Sequence, residues 1–194
     1  MSKFSTDIHD KFEIKVSRHA DTILERDFPE EWNDLNALLT AFVLKRSWLV
    51  NAGGNKSALS RFVEEFMQAL GWEEKQFDTG IQADGELRPN PTHKIDCYKN
   101  RVALELEWNN KTEFYDRDLN NFRILSELNC ISVGVILTRS TCLDPLIKSL
   151  GRYSSYGAST THMDKLEPRL NGGGAGGCPV IALGITPECY DDAL

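Results

Sequence analysis

Apolar and polar residues change period several times along the chain, and the changes divide it into elements. FEIKVS at 12–17 alternates with period two, as a half-buried strand does. A helix is predicted over 19–26. A second begins after Phe28-Pro29, where Trp32, Leu35, Leu38, Leu39 and Phe42 recur at helical spacing. The glycine-containing loop VNAGGNKS at 50–57 enters a helix over 58–70, which turns Leu59, Phe62, Val63, Phe66 and Leu70 inward. Ser57 suits the N-cap of that helix. The polar stretch 79–92, with Gly80, Gly85, Pro89 and Pro91, reads as a long loop. Two strands follow, 93–98 and 101–108, with Lys99-Asn100 between them at the length of a tight turn. A helix over 113–129 precedes ISVGVIL at 131–137, an apolar run of the kind found mid-sheet with both faces covered. A short helix interrupted by Pro145 is predicted over 142–150. A polar patch at 152–162, a short helix over 163–170, a glycine loop at 171–177 and a last buried strand, CPVIALGI, complete the order. The fold class is α/β: a central mixed sheet of about five or six strands flanked by helices, in one domain over 1–194.

The hairpin raises a question of charge. Val102, Leu104, Leu106 and Trp108 point one way, while Arg101, Ala103, Glu105 and Glu107 point the other, so the two glutamates stand about 7 Å apart on one face. If Tyr98 pairs with Arg101, Asp96 pairs with Ala103 and has Glu105 as its diagonal neighbour. Three carboxylates gathered in this way call for water, a nearby cation or raised pKa values. Exposure to water is the simplest answer, because half-buried strands put their polar residues outward. The alternative is a site for a divalent cation, and an all-oxygen donor set suits Mg²⁺ rather than zinc.

Composition narrows the partners. With 22 Lys and Arg against 29 Asp and Glu, the net charge of −7 offers no global attraction to nucleic acid. Any such role must rest on local basic groups. Five cysteines without CxxC spacing suggest reduced thiols in a cytoplasmic protein, and no apolar run is long enough to span a membrane. GGNKS lacks the spacing of a phosphate-binding P-loop. Lys56 and Arg61 beside it are candidates for phosphate contact or simply a solvated face.

Immediately after the acids, Asn109, Asn110, Lys111 and Thr112 lead into the helix at 113. A helix N-terminus offers free N–H groups and the positive end of its dipole. Asn, Lys and Arg are side chains that read base edges. Acids beside base readers suggest a site that cuts a phosphodiester next to the bases it recognises.

IDCYKNRVALELEWNNKT, with its Asp-x8-Glu-x-Glu spacing, resembles the active-site hairpin of type II restriction endonucleases of the BamHI, BglII and BstYI group. DKLEPRL, the glycine loop and PVIALGITPECY resemble the end of such chains, and weaker similarity runs from the early strand through the helix near 55–72. The resemblance implies a PD-(D/E)xK restriction-endonuclease-like fold, a homodimer, Mg²⁺, and cleavage of double-stranded DNA at a six-base-pair palindrome centred on GATC. It implies that Asp96 and Glu105 bind metal. Glu107 stands where most such enzymes carry Lys, BamHI carries Glu, and BglII and BstYI carry Gln; it thus sides with BamHI and is implied as general base or metal-shell ligand. Glu74 falls within one or two residues of a further metal-binding acid. Asn110 and Thr112 match base-reading positions. Arg117 is displaced by one from a matching arginine, where Asp116 falls instead. Arg152 matches the arginine of an Asp-Arg pair whose aspartate is Gly151 here, with Ser154 and Ser155 beside it. The helix 113–129 and the segment 163–170 would form the dimer face. The similarity to BamHI at Glu107, Asn110 and the tail favours GGATCC. Two rivals stay open on the residues: a structure- or damage-specific Mg²⁺ nuclease, and a non-catalytic DNA-binding module.

Overall fold

The apolar run at 131–137 becomes the middle of a six-stranded sheet. The computed structural model describes residues 2–51, 57–89 and 92–194. Its elements in order are α1 (Thr6–Lys11), β1 (Phe12–Val16), α2 (Ala20–Asp27), α3 (Pro29–Ala41), β2 (Leu44–Lys45), α4 (Arg46–Val50), α5 (Ala58–Ala69), β3 (Glu73–Lys75), β4 (Gly80–Ala83), β5 (Glu86–Pro89), β6 (Ile95–Lys99) and β7 (Val102–Glu107). After these come α6 (Glu113–Glu127), β8 (Val133–Arg139), α7 (Asp144–Ser149), α8 (Met163–Asn171), β9 (Val180–Ile185) and β10 (Tyr190–Asp191). The main sheet runs β1-β9-β8-β7-β6-β3. Strands β7, β8 and β9 are parallel, and β1, β6 and β3 each pair antiparallel with their neighbours. The mixed, helix-flanked sheet predicted from the periodicity is therefore what forms.

The two faces of β7 divide the core as its alternation requires. Val102, Leu104, Leu106 and Trp108 join one apolar cluster with residues of α1 to α5 and α7. Ala103 joins a second cluster, built with Tyr115, Leu119, Phe122 and Leu125 of α6 and Leu166 of α8. Helices cover both faces, so all six residues of β7 are buried.

Gly134 of β8 shows how closely α6 lies on that second face. A Cβ at this position would stand 2.4 Å from a ring carbon of Phe122. Gly134→Ala is therefore expected to destabilise the protein by about 1–3 kcal/mol through overpacking. A urea denaturation midpoint equal to that of the parent protein would contradict this.

Three local predictions change. The stretch 79–92 contains a hairpin: β4 pairs with β5 around Asp84-Gly85, both at positive φ. That dipeptide favours a two-residue turn matching the twist of the strands. Pro145 opens α7 instead of interrupting a helix, since a 3₁₀ turn over Thr141–Leu143 comes first. A proline is tolerated there because the first N–H groups of a helix lack partners anyway. The third change is register. The turn between β6 and β7 is Asn100-Arg101, with φ of 42° and 69°, and Tyr98 pairs with Ala103. The pairing is thus shifted by two residues from the predicted one. An even shift keeps every side chain on its face, and continuing it sets Asp96 opposite Glu105.

All five cysteines are free, with Cys97, Cys178 and Cys189 buried. Among the described residues no helix is long and apolar enough to cross a membrane.

Candidate active site

Exposure to water, the simplest answer from strand alternation, does not hold for Glu105 and Glu107, while Asp96 is half-buried. Glu105 is 1% exposed and Glu107 2%, because α6 lies over the face that carries them. That helix adds a fully buried acid, Asp118. Strand alternation could not reveal it: in FYDRDL it reads as one more polar residue on a surface helix.

The carboxylates fold back onto the hairpin that bears them. The Asp96 N–H donates to Glu105 Oε2 at 3.3 Å, and the Leu106 N–H donates to Asp96 Oδ2 at 2.9 Å. Glu105 Oε1 and Asp118 Oδ2 are buried without a hydrogen-bond partner among the described residues. Burial, reinforced by the charges of Asp118 and Asp96, holds the Glu105 carboxyl well above the usual range.

Glu107 is gripped at both oxygens. Asn110 Nδ2 donates to Oε2 at 2.7 Å, and Arg117 Nη2 donates to Oε1 at 3.2 Å. Arg117 also donates through Nε to Asp118 Oδ1 at 2.8 Å and stacks over the Phe114 ring, 4.3 Å from its centroid. Burial first, and then the neighbouring Asp118 carboxyl, push Glu107 up to about 9, although Asn110 and Arg117 pull the other way. In the cation-free protein Glu107 therefore carries a proton at neutral pH.

These groups meet a cleft of about 990 Å³. Asp96 and Glu107 reach its surface, whereas Glu105 lies beneath it. Glu74 stands at the cleft with Lys94 Nζ 2.6 Å from Oε2. Asn109, Asn110 and Arg117 line one side, and Arg152 and Ser155 line another. Lys111, Thr112 and Ser154 are not among the lining residues, and Lys56 lies outside the described residues. The opposite wall comes from α4 and α5, through Trp48, Ser60, Arg61 and Glu64. Of these, only Arg61 carries a sequence signal for a ligand, a basic residue after a glycine loop. Arg61, Arg117 and Arg152 line the cleft together with the carboxylates of Glu64, Glu74, Asp96 and Glu107, so local basic groups stand beside the acids in a chain whose net charge is −7.

Asn109, at φ 61°, turns the chain sharply out of β7 and sets Asn110 back toward Glu107. A side chain three residues beyond a strand thereby returns to that strand's last carboxylate. Acids at the end of a hairpin, in a cleft with arginines on its walls, are suited to work on a phosphodiester.

A family model described as restriction endonuclease BglII/BglIII matches residues 12–185. The chain belongs to that family. No curated protein sequence matches it significantly. As a member, it is a type II site-specific deoxyribonuclease, and DNA is its substrate. The mixed sheet and its flanking helices are those of the restriction-endonuclease-like fold. The non-catalytic alternative falls with this result. The matched span takes in both the acid hairpin and the Arg152 segment, so the endonuclease cleft lies wholly within the family region.

Proposed function

We propose that the endonuclease works as a Mg²⁺-dependent homodimer that cuts double-stranded DNA at GGATCC. The carrying observation is the acid set at the cleft: Asp96 opposite Glu105, with Glu107 held by a base-reading candidate, Asn110, and a cation, Arg117.

The donor set supports the cation. Among the described residues no three His, Cys, Asp or Glu side chains converge as a complete ligand cage. Mg²⁺ does not require one, since it is commonly held by one or two carboxylates with water and phosphate completing its shell. Asp96 and Glu105 would hold it, with Glu74 as a further acid at the cleft. The unpartnered Glu105 Oε1 is the kind of buried oxygen that a cation satisfies. When bound, Mg²⁺ supplies a Lewis acid at the scissile phosphate and a water of lowered pKa.

The protein's own groups then orient the reaction. Glu107, once ionised, is placed to take a proton from an attacking water, and Asn110 fixes the direction of its carboxylate. Arg117 and Arg152 contact DNA from two sides of the cleft. Asn109, Asn110, Lys111 and Thr112 read bases at the start of α6, and Ser154 and Ser155 do so beside Arg152. A two-fold dimer through α6 and α8 presents these side chains twice, as a palindrome requires. Those helices already form one unit, in which Arg169 donates to Asp116 through Nε at 2.8 Å and Nη2 at 3.2 Å. The choice of GGATCC rests on the resemblance at Glu107, Asn110 and the C-terminal segment.

Plasmid DNA incubated with the protein and Mg²⁺ tests the reading. Discrete fragments with GATC overhangs flanked by G and C are expected, and sequencing the ends checks them. A smear would point to structure- or damage-specific cleavage. Ca²⁺ is expected to permit binding without cutting, and efficient cleavage in Ca²⁺ alone would count against this chemistry.

A further inference from the structure

The end of the catalytic strand is not held by its own hairpin alone. The Glu107 carbonyl accepts two buried hydroxyls, Thr138 Oγ1 at 2.8 Å and Thr161 Oγ1 at 3.2 Å. Thr138 belongs to the neighbouring strand β8, and its hydroxyl also meets Tyr115 OH of α6 at 2.7 Å. Thr161 lies outside any strand or helix, yet it is fully buried. Its hydroxyl accepts the Asn110 N–H at 3.1 Å, and its own N–H donates to the Asn110 carbonyl at 2.9 Å. One threonine thus closes on both Glu107 and Asn110, the residues whose side chains meet at the cleft.

Thr161 is in turn the end of the segment that carries Arg152 and Ser155. Arg139, the last residue of β8, is fully buried and ties that segment down. Its Nη2 donates to the Tyr156 carbonyl at 3.0 Å and to Thr160 Oγ1 at 3.1 Å, while Nη1 pairs with Asp144. A bridge between Lys111 and Thr160 and the edge-on packing of Trp108 against Tyr156 continue the seam. A buried guanidinium is costly unless it is paired and hydrogen-bonded, so its position at this joint fixes the segment against the strand end. Neither Thr161 nor Arg139 lines the cleft, although Glu107, Trp108, Asn110 and Tyr156, which they and their seam hold, do.

We propose that Thr161, anchored through Arg139, is a positioning residue that locks the Arg152-bearing wall to the Glu107–Asn110 strand end, so that DNA engaged on that wall meets a correctly aimed Glu107. The inference rests on the reading above, in which Glu107 and Asn110 act at the scissile phosphate and the adjoining bases. Its distinct claim is that one buried hydroxyl, which meets only protein groups, controls turnover.

The test uses full-length protein and compares Thr161→Val, which keeps the shape and loses the hydroxyl, with Thr161→Ser, which keeps the hydroxyl. Thr161→Val is expected to lower kcat on a plasmid carrying one GGATCC site by about 10- to 100-fold, the loss typical of a misplaced catalytic group. DNA binding in Ca²⁺ is expected to stay within about threefold of the parent, since the hydroxyl meets only protein groups. Thr161→Ser is expected to restore kcat to within a few-fold. Parent-like turnover in Thr161→Val, or equal impairment in both variants, would overturn the proposal. So would a loss confined to DNA affinity. Glu107→Gln run alongside separates the two claims. If that variant is inactive while Thr161→Val turns over normally, only the positioning role fails. If Glu107→Gln cuts normally, the reading of the site fails, and the positioning role with it. Should Thr161→Val fold poorly, Arg139→Lys serves as the second variant, with the same kcat loss at unchanged affinity expected.

Discussion

Replacing Glu107 with Gln is expected to lower cleavage of a GGATCC plasmid in Mg²⁺ by about 10²- to 10⁴-fold, the range for a lost general acid–base group. Glutamine preserves size and can still accept the Asn110 hydrogen bond, but it can neither ionise nor take a proton. Binding in Ca²⁺ is expected to survive, because Arg117 and Arg152 at the cleft remain. Glu105→Gln is expected to be at least as severe, since it removes a charge from the acid pair that would hold the cation. Unaltered turnover in either variant would remove the acids from the mechanism.

The second large effect is on stability, and its sign is opposite to the usual cost of altering an active site. In chelator, Glu107→Gln is expected to be more stable than the parent at pH 8, with the difference shrinking toward pH 4.5. Burial and the Asp118 carboxyl push Glu107 up to about 9 in the folded protein, from 4.5. Below 4.5 both folded and unfolded chains hold the proton, and folding carries no penalty from this group. Between 4.5 and about 9 the folded protein keeps a proton that the unfolded chain releases, so stability falls as pH rises. Glutamine removes this penalty while keeping a donor on the side chain. The parent can in turn relax toward the ionised, Arg117-paired form, so a net gain of about 2 kcal/mol at pH 8 is expected, less than the full shift implies. For a chain of this length that is roughly 4–8 °C in Tm. Thermal denaturation in EDTA from pH 5 to 9 reads it, and parallel parent and variant curves would refute the raised pKa. The two results together describe a trade: the acid that turnover needs destabilises the cation-free fold.

Much of the arrangement was legible in the chain. Strand and helix positions followed from period two and period 3.6, because each element must present one apolar face to a core. The division of β7 into Val102, Leu104 and Leu106 against Ala103, Glu105 and Glu107 was legible for the same reason. So was the neighbourhood of Asn110 and Arg117, which lie close in sequence to the strand end. The hairpin at β4 and β5 was missed although Asp84-Gly85 signals it, because surrounding glycines and prolines read equally well as loop.

What the sequence could not express was which polar face would be covered. Period two says that Glu105 and Glu107 lie together, and it says nothing about what lies over them. Only the packing of α6 across that face turned exposed acids into buried ones and brought Asp118 among them. Register was decided in the same way. The turn settled on Asn100-Arg101, where two positive φ values match the strand twist, and this set Asp96 against Glu105. Arg139 ended an apolar strand and Thr161 sat in a polar patch, so neither carried a local signal. Their partners lie 17 to 54 residues away along the chain, at Tyr156, Thr160, Asn110 and Glu107. Local periodicity thus determined the strand and the face on which the acids stand. The tertiary fold alone determined their burial, their protonation and the lock on Glu107, because those depend on groups that meet only when distant segments pack.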